Sequence, residues 1–386
     1  MKIRNTIVCC VALLAAVSFS ACTKSVVGSA EVRDLVLIYD GGDHRKIDWN
    51  KEKFAPYVST DVVDGKEQWL YDGFLFLEII CNKDRGYATG YRKGGAQKEH
   101  WIGLIDQYLS PNRDIAALND AVGEARKKID GPFHRRKVVL SLPEPLLGQT
   151  DWGELNGKAL DFNKDEDRIA ACKWYIDLLI ERFKEAELEN VQLCGFYWLA
   201  EHVTETLTFV KAVSDYIHEK ELDFYWIPYF KANGYERWNE WGFDHAYLQP
   251  NHFFNTSIPD SRVDETCTLA KAANMSLEME FDERVLQQNG DRGCRMAAYI
   301  DSYEKNGIFD SYNVAYYQGN HAWSELNRGT EQDTGLSKRL ASIIVKRQKE
   351  FYKDKYLTLS YSLQKNRDAY RLMHLGFLFA FSYATS

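Results

Sequence analysis

The chain has no basic stripe. Its 48 Lys and Arg are outnumbered by 56 Asp and Glu, for a net charge of −8, so the electrostatic footprint that nucleic acids and anionic membrane surfaces require is missing. Paired cysteines are missing too. Beyond residue 22 the cysteines are Cys81, Cys172, Cys194, Cys267 and Cys294, scattered without the spacing of a disulfide framework or a zinc motif, and they read as buried, inert thiols. Asp40-Gly41-Gly42-Asp43 is not a phosphate-cradling fingerprint, and the glycines from Gly86 to Gly95 open no helix directly. There is no Ser-centred elbow and no metal-ligand helix motif. The apolar runs Ile7–Phe19 and Leu372–Ala384 are too short to be read as membrane spans. The expectation is therefore a protein without cofactor, metal or nucleic-acid partner.

What is present begins with a signal-peptide pattern. Lys2 and Arg4 precede the Ile7–Phe19 run, and the first 21 residues are read as removed from the mature chain. Phe19-Ser20-Ala21-Cys22 resembles the lipobox of Gram-negative lipoproteins, with Phe19 where an aliphatic residue is usual. The resemblance implies lipidation at Cys22, with membrane contact through the lipid anchor alone. Thr23 in place of Asp implies the outer membrane of the cell envelope. The alternative is an ordinary secretory cut near Ala21. Removal of 21 of the 386 residues leaves 365, and loss of Lys2 and Arg4 takes the net charge to −10.

The remainder alternates short β-rich apolar runs with helical patterns, which predicts a parallel sheet. Eight strands are expected: Leu35–Tyr39, Phe74–Ile79, Lys137–Leu142, Val191–Trp198, Phe224–Pro228, His245–Gln249, Ser276–Glu280 and Asn313–Tyr317. Helical spacing is clearest over Asp167–Leu188, where Ile169, Cys172, Ile176, Leu179 and Phe183 share a face. Further helices are expected over Asp114–Ile129, Thr204–Lys220, Arg262–Asn274, Arg292–Asn306 and Leu336–Lys349, and only the first crossover lacks an obvious long one. The fold class is α/β, a single-domain (β/α)8 TIM barrel over residues 33–352, with 22–32 as a lipid-anchored linker and 353–386 as a tail. The tail is expected to pack across the barrel bottom. The loop from Cys81 to about Trp101 is expected to wall the substrate site, because long ordered loops in compact domains tend to be functional.

Active sites of such barrels lie at the C-terminal ends of the strands. Those ends carry Asp40, Glu144, Glu201, Tyr229, Gln249, Asn251, Glu280 and Gln318, with Trp198 and Tyr317 nearby. Carboxylates and amides beside aromatic faces suit a polyhydroxylated ligand such as a polysaccharide or oligosaccharide, although about half of the aromatics are expected to be structural. In Ser276–Glu280 the apolar Leu277 and Met279 alternate with Glu278 and Glu280. The apolar set must face the helices, so both glutamates point into the barrel. Glu280, nearer the open end, is the better catalytic candidate, with Glu278 as a deeper supporting partner. A structural salt bridge to a neighbouring Lys or Arg is the competing reading.

Glu201 and Glu280, at the ends of the fourth and seventh strands, resemble the acid/base and nucleophile of the large retaining glycoside hydrolase clan built on TIM barrels. The residue before Glu201 is Ala200, where that clan has Asn. The runs Gly195–Glu201 and Ala315–Gly319, together with the lipobox, also resemble a family of secreted Gram-negative lipoproteins known as domain of unknown function 4855. That resemblance covers most of the mature chain and implies a glycoside-hydrolase-like barrel. The expected function is glycan hydrolysis with retention. The alternatives are a non-catalytic glycan-binding barrel, or another hydrolase or lyase using Asp40, Glu144 or His202.

Overall fold

The computed structural model describes residues 26–353, apart from 46 and 203–205. Cys22 and residues 354–386 lie outside the described residues. Eight parallel strands close into a barrel in sequence order. They are β1 (Asp34–Tyr39), β2 (Gly73–Leu77), β3 (Arg136–Leu142), β4 (Val191–Trp198), β5 (Asp223–Trp226), β6 (His245–Leu248), β7 (Ser276–Glu280) and β8 (Val314–Tyr317). The eight expected strands all occur, Val191–Trp198 and Ser276–Glu280 with the expected ends and the others displaced by one or two residues. The architecture is the (β/α)8 barrel.

The longer helices are α1 (Lys51–Val58), α2 (Lys98–Tyr108), α3 (Asp114–Arg126), α4 (Asp165–Glu185), α5 (Leu207–Glu219), α6 (Ser261–Ala272) and α7 (Gly293–Lys305). A last helix, α8, covers 331–353. Among the described residues no helix is long and apolar enough to cross a membrane. The first crossover does have a helix. α1 is short, opened by Asn50, whose side chain accepts the Lys53 N–H, and it carries Pro56. The Pro56 carbonyl accepts the Trp323 indole N–H instead.

Two differences from the sequence reading have clear causes. The segment after β2 is not all loop: Arg85–Gly86 pairs with Gly94–Gly95, and α2 begins at Lys98, capped by Gln97 and His100 acting on each other's backbone. A Gln-x-x-His cap is a weak sequence signal beside the usual Ser/Thr and Glu. Residues 27–29 are also not a free linker. Gly28 N–H donates to Leu193 and Ser29 N–H to Glu221, extending the hydrogen bonding below β4 and β5.

Strand parity organises the core. Odd-numbered residues of β1 and even-numbered residues of β7 face into the barrel, while Phe74 and Phe76 of β2 pack outward on Phe54 of α1. β4 bends through a register shift between Leu193 and Gly195. Gly195 is required there, since a Cβ would sit 2.3 Å from the Asp223 carbonyl oxygen and 2.5 Å from the Tyr225 ring. α8 closes the barrel by lodging Arg347 and Gln348 on buried Asp34 at the start of β1.

Candidate active site at the barrel mouth

The ends of β1, β4, β7 and β8 bring together Tyr39, Tyr197, Glu201, Glu278, Glu280 and Tyr317. Tyr39 and Tyr317 meet edge to face at 5.7 Å, and Glu280 stands in register with Tyr317. The Glu201 charge acts on Tyr39, Tyr91, Tyr197, Glu278 and Glu280. One mouth therefore contains both expected catalytic glutamates and the third one below them.

The three acids differ in their partners. Glu280 is 1% exposed, and its Oε2 accepts the Tyr299 hydroxyl of α7 and, at 3.2 Å, the His252 backbone N–H. Burial raises its pKa to about 7, against these donors and with Glu201 adding to the rise. Its Oε1 has no hydrogen-bond partner. Glu278 is 3% exposed, and its pKa is pushed far up, first by burial and then by Glu280 and Glu201. Glu201 is raised by burial, opposed by a hydrogen bond from the Gln249 side chain. Both inward glutamates thus follow from the alternation of β7. The competing salt bridge is not formed, since neither pairs with a Lys or Arg among the described residues.

Several other expected ligand contacts support the mouth from behind. Gln249 donates to the Ile227 carbonyl and receives Asn251 Nδ2, while Asn251 Oδ1 takes the Phe230 N–H. Gln249 and Asn251 therefore hold Glu201 in place. Asn251 is suited to this because it adopts a left-handed backbone (φ 48°), which Asn tolerates better than most residues. Tyr229 is partly exposed beside Glu201, its N–H on the Glu201 carbonyl and its ring 5.6 Å from His202.

Four expected contacts are corrected. Trp198 has the wrong parity: it is fully buried outside the barrel wall, edge-on to Phe209 of α5 and Phe224. Asp40, the outward neighbour of Tyr39, turns away to Gln107 and Asp114. It lines a cavity of about 430 Å³ between the end of β1 and α2, beside the mouth rather than in it. Gln318 is fully buried and committed to Tyr57, Trp323, Leu37 and Asn320. Glu144 lies near the mouth, but its carboxylate accepts the Thr89 N–H and hydroxyl. It fastens the loop after β2, and that loop delivers Tyr91 to the mouth.

Sequence reasoning missed Tyr39, Tyr197, Arg45 and Tyr299, whereas Tyr91 lies on the loop expected to wall the site. Parity within β4 pointed to Tyr197 as soon as Trp198 was placed outward. Arg45, which lies 4.2 Å from the Tyr39 ring and pairs with Glu78 and Asn320, had no such signal. Neither had Tyr299, whose position depends on how α7 packs. Among the described residues no three His, Cys, Asp or Glu side chains converge tightly enough to hold a metal ion.

A closed parallel barrel with carboxyl groups at its C-terminal mouth defines a protein of the TIM-barrel class. The chain belongs to the family described as domain of unknown function (DUF4855), whose model matches residues 34–352. No curated protein matches it. Among solved structures it is similar to a candidate alpha-L-fucosidase from Bacteroides thetaiotaomicron, at 11% identity and TM-score 0.40, over 83% of this chain and 98% of that one. It is also similar to a mutant tryptophan synthase alpha-subunit from Pyrococcus furiosus, at 10% identity and TM-score 0.34, over 82% and 99%.

Proposed function

We propose that this chain is a glycoside hydrolase acting on a glycan at the cell envelope by retaining double displacement, held to the outer membrane through lipid on Cys22. The observation that carries the reading is the unequal treatment of two carboxyl groups in one mouth. Glu280 receives the Tyr299 hydroxyl and the His252 N–H, donors that favour a carboxylate. Glu201 has only the Gln249 side chain, and although burial raises both acids, the donors that counter it are fewer at Glu201.

In the first step a Glu280 oxygen bonds to the anomeric carbon as the glycosidic C–O bond breaks. Glu201 passes its proton to the departing oxygen. In the second step Glu201 takes a proton from water, whose oxygen attacks the anomeric carbon and releases the Glu280 carboxylate. The faces and edges of Tyr39, Tyr197 and Tyr317 offer apolar surface and hydroxyls to a sugar ring.

A glycan-binding protein without turnover is the second reading. It is favoured by the Glu280 pKa of about 7, which leaves part of the nucleophile protonated at neutral pH, and by Ala200 beside Glu201. The deciding experiment screens the lipid-free chain on a polysaccharide panel, with Glu201→Gln and Glu280→Gln as controls. Turnover lost in both variants, with a product that keeps its anomeric configuration by NMR, supports the hydrolase. Glycan binding without turnover in the wild type supports the second reading. An inverted product overturns the double displacement, since inverting carboxyls stand about 6.5–9.5 Å apart against about 5–5.5 Å in retaining pairs.

A further inference from the structure

The mouth contains one more carboxyl group than the proposed reaction uses. Glu278 lies one inward step below Glu280, about 6.6 Å along the strand, and takes no part in the two steps above. Among the described residues its carboxyl receives no hydrogen bond and no ion pair, and the groups that act on it are Glu280 and Glu201, both acids. Two guanidinium groups near these tyrosines are each paired with an acid, Arg45 beside Tyr39 with Glu78 and Arg284 near Tyr317 with Asp282.

A second, independent observation points the same way. Glu280 Oε1 is fully buried and has no hydrogen-bond partner, although its other oxygen has two. A buried acceptor left unpaired is costly, and a ligand donor is the natural complement. A carboxylate or sulfate on the ligand would add to the repulsion already present among the acids. A protonated amine supplies several N–H donors and a positive charge together, and tyrosine faces such as Tyr39 and Tyr317 attract ammonium groups as well.

We infer that the glycan recognised at this mouth carries a free amino group, with Glu278 and the unpaired Glu280 oxygen as its acceptors. This rests on the glycan reading above and deepens it: the substrate class is an amino sugar that is not N-acetylated. An uronic or sulfated glycan is disfavoured by the same crowding of acids.

The test uses the full mature chain carrying Glu201→Gln, so that ligands are not turned over. Titration calorimetry at about pH 7, where amines are still largely charged and Glu280 is partly ionised, compares glucosamine oligomers with N-acetylglucosamine and glucose oligomers of the same length. The expected result is at least about tenfold tighter binding of the amine oligomer. Adding Glu278→Gln, a near-isosteric change, should reduce that preference to about threefold or less while the melting temperature is kept. Equal affinity for the three oligomers overturns the amine assignment but leaves the glycan reading intact. A preference that survives Glu278→Gln also overturns it, because the attraction is then the general negative charge of the chain. If N-acetylated or neutral oligomers bind best, the site is a neutral-sugar site. If no oligomer binds, the amine assignment fails, and the polysaccharide panel decides the glycan reading separately.

Discussion

Asp40 at the end of β1 and Asp114 at the start of α3 share the Gln107 amide, which donates to Asp40 Oδ1 and Asp114 Oδ2. Their other oxygens, Asp40 Oδ2 and Asp114 Oδ1, are buried without a hydrogen-bond partner, and the two carboxyl groups lie close enough to shift each other's protonation. Such a contact between acids needs a proton between them. Burial raises Asp40 to about 6, and burial with the Asp40 charge raises Asp114 to about 8.

Both values lie above the unfolded carboxyl range, so the folded state holds protons that the unfolded chain has released. The stabilisation is complete at about pH 4 and is lost as pH rises through about 6 and then 8. The melting temperature should therefore fall across this window. Asp114→Asn keeps a donor beside Asp40 and tolerates the left-handed backbone at this position (φ 51°). In that variant the slope between pH 6 and 8 should flatten and the melting temperature at about pH 8 should rise by a few degrees. Calorimetric melts across the pH range check this; an unchanged slope refutes the shared proton.

Tyr299 positions the proposed nucleophile. Its hydroxyl lowers the Glu280 pKa, so Tyr299→Phe should raise it. Because attack requires the carboxylate, the acidic limb of the pH–rate profile should move to higher pH. The rate at neutral pH should fall on the order of tenfold. A purely structural role for Tyr299 would lower stability without moving that limb.

Glu144 fastens the loop after β2 through Thr89. Glu144→Ala should cost about 1–3 kcal/mol and expose residues 81–97 to protease, with faster amide exchange there. Since the same loop carries Tyr91 to the mouth, KM should rise more than kcat falls. Limited proteolysis and steady-state kinetics on one preparation separate the two effects.

At the opposite end, Asp34 accepts from Arg347, Gln348 and Tyr316. Burial still raises its pKa despite Arg347. Arg347→Met leaves a buried carboxylate without its cation and should cost about 3–5 kcal/mol at neutral pH. The loss should shrink in acid, where Asp34 takes up a proton. Urea unfolding at two pH values reads both effects. An equal loss at each pH would mean that packing of α8, not the charge, is what Arg347 provides.

Much of this was legible from residue order. Alternation of β-rich and helical runs determines a parallel barrel, because each strand buried on both faces must be apolar and each crossover must be long. The period-two pattern of Leu277, Glu278, Met279 and Glu280 determined which way both glutamates point. The same rule, followed through β4 and β1, separates Tyr197 from Trp198 and Tyr39 from Asp40. Choosing Trp198 and Asp40 by their nearness to strand ends ignored it.

Tertiary structure alone decided the rest. Residue order shows that Glu144 and Gln318 stand at strand ends, but not that Thr89 occupies one and that four partners occupy the other. Nor does it show that α7 sends Tyr299 to Glu280, or that Asp114 lies against Asp40 across more than seventy residues. Strand direction is a local property set by the pleat. A carboxyl group's partners, and through them its proton, depend on which distant groups are brought within hydrogen-bonding distance when the barrel closes.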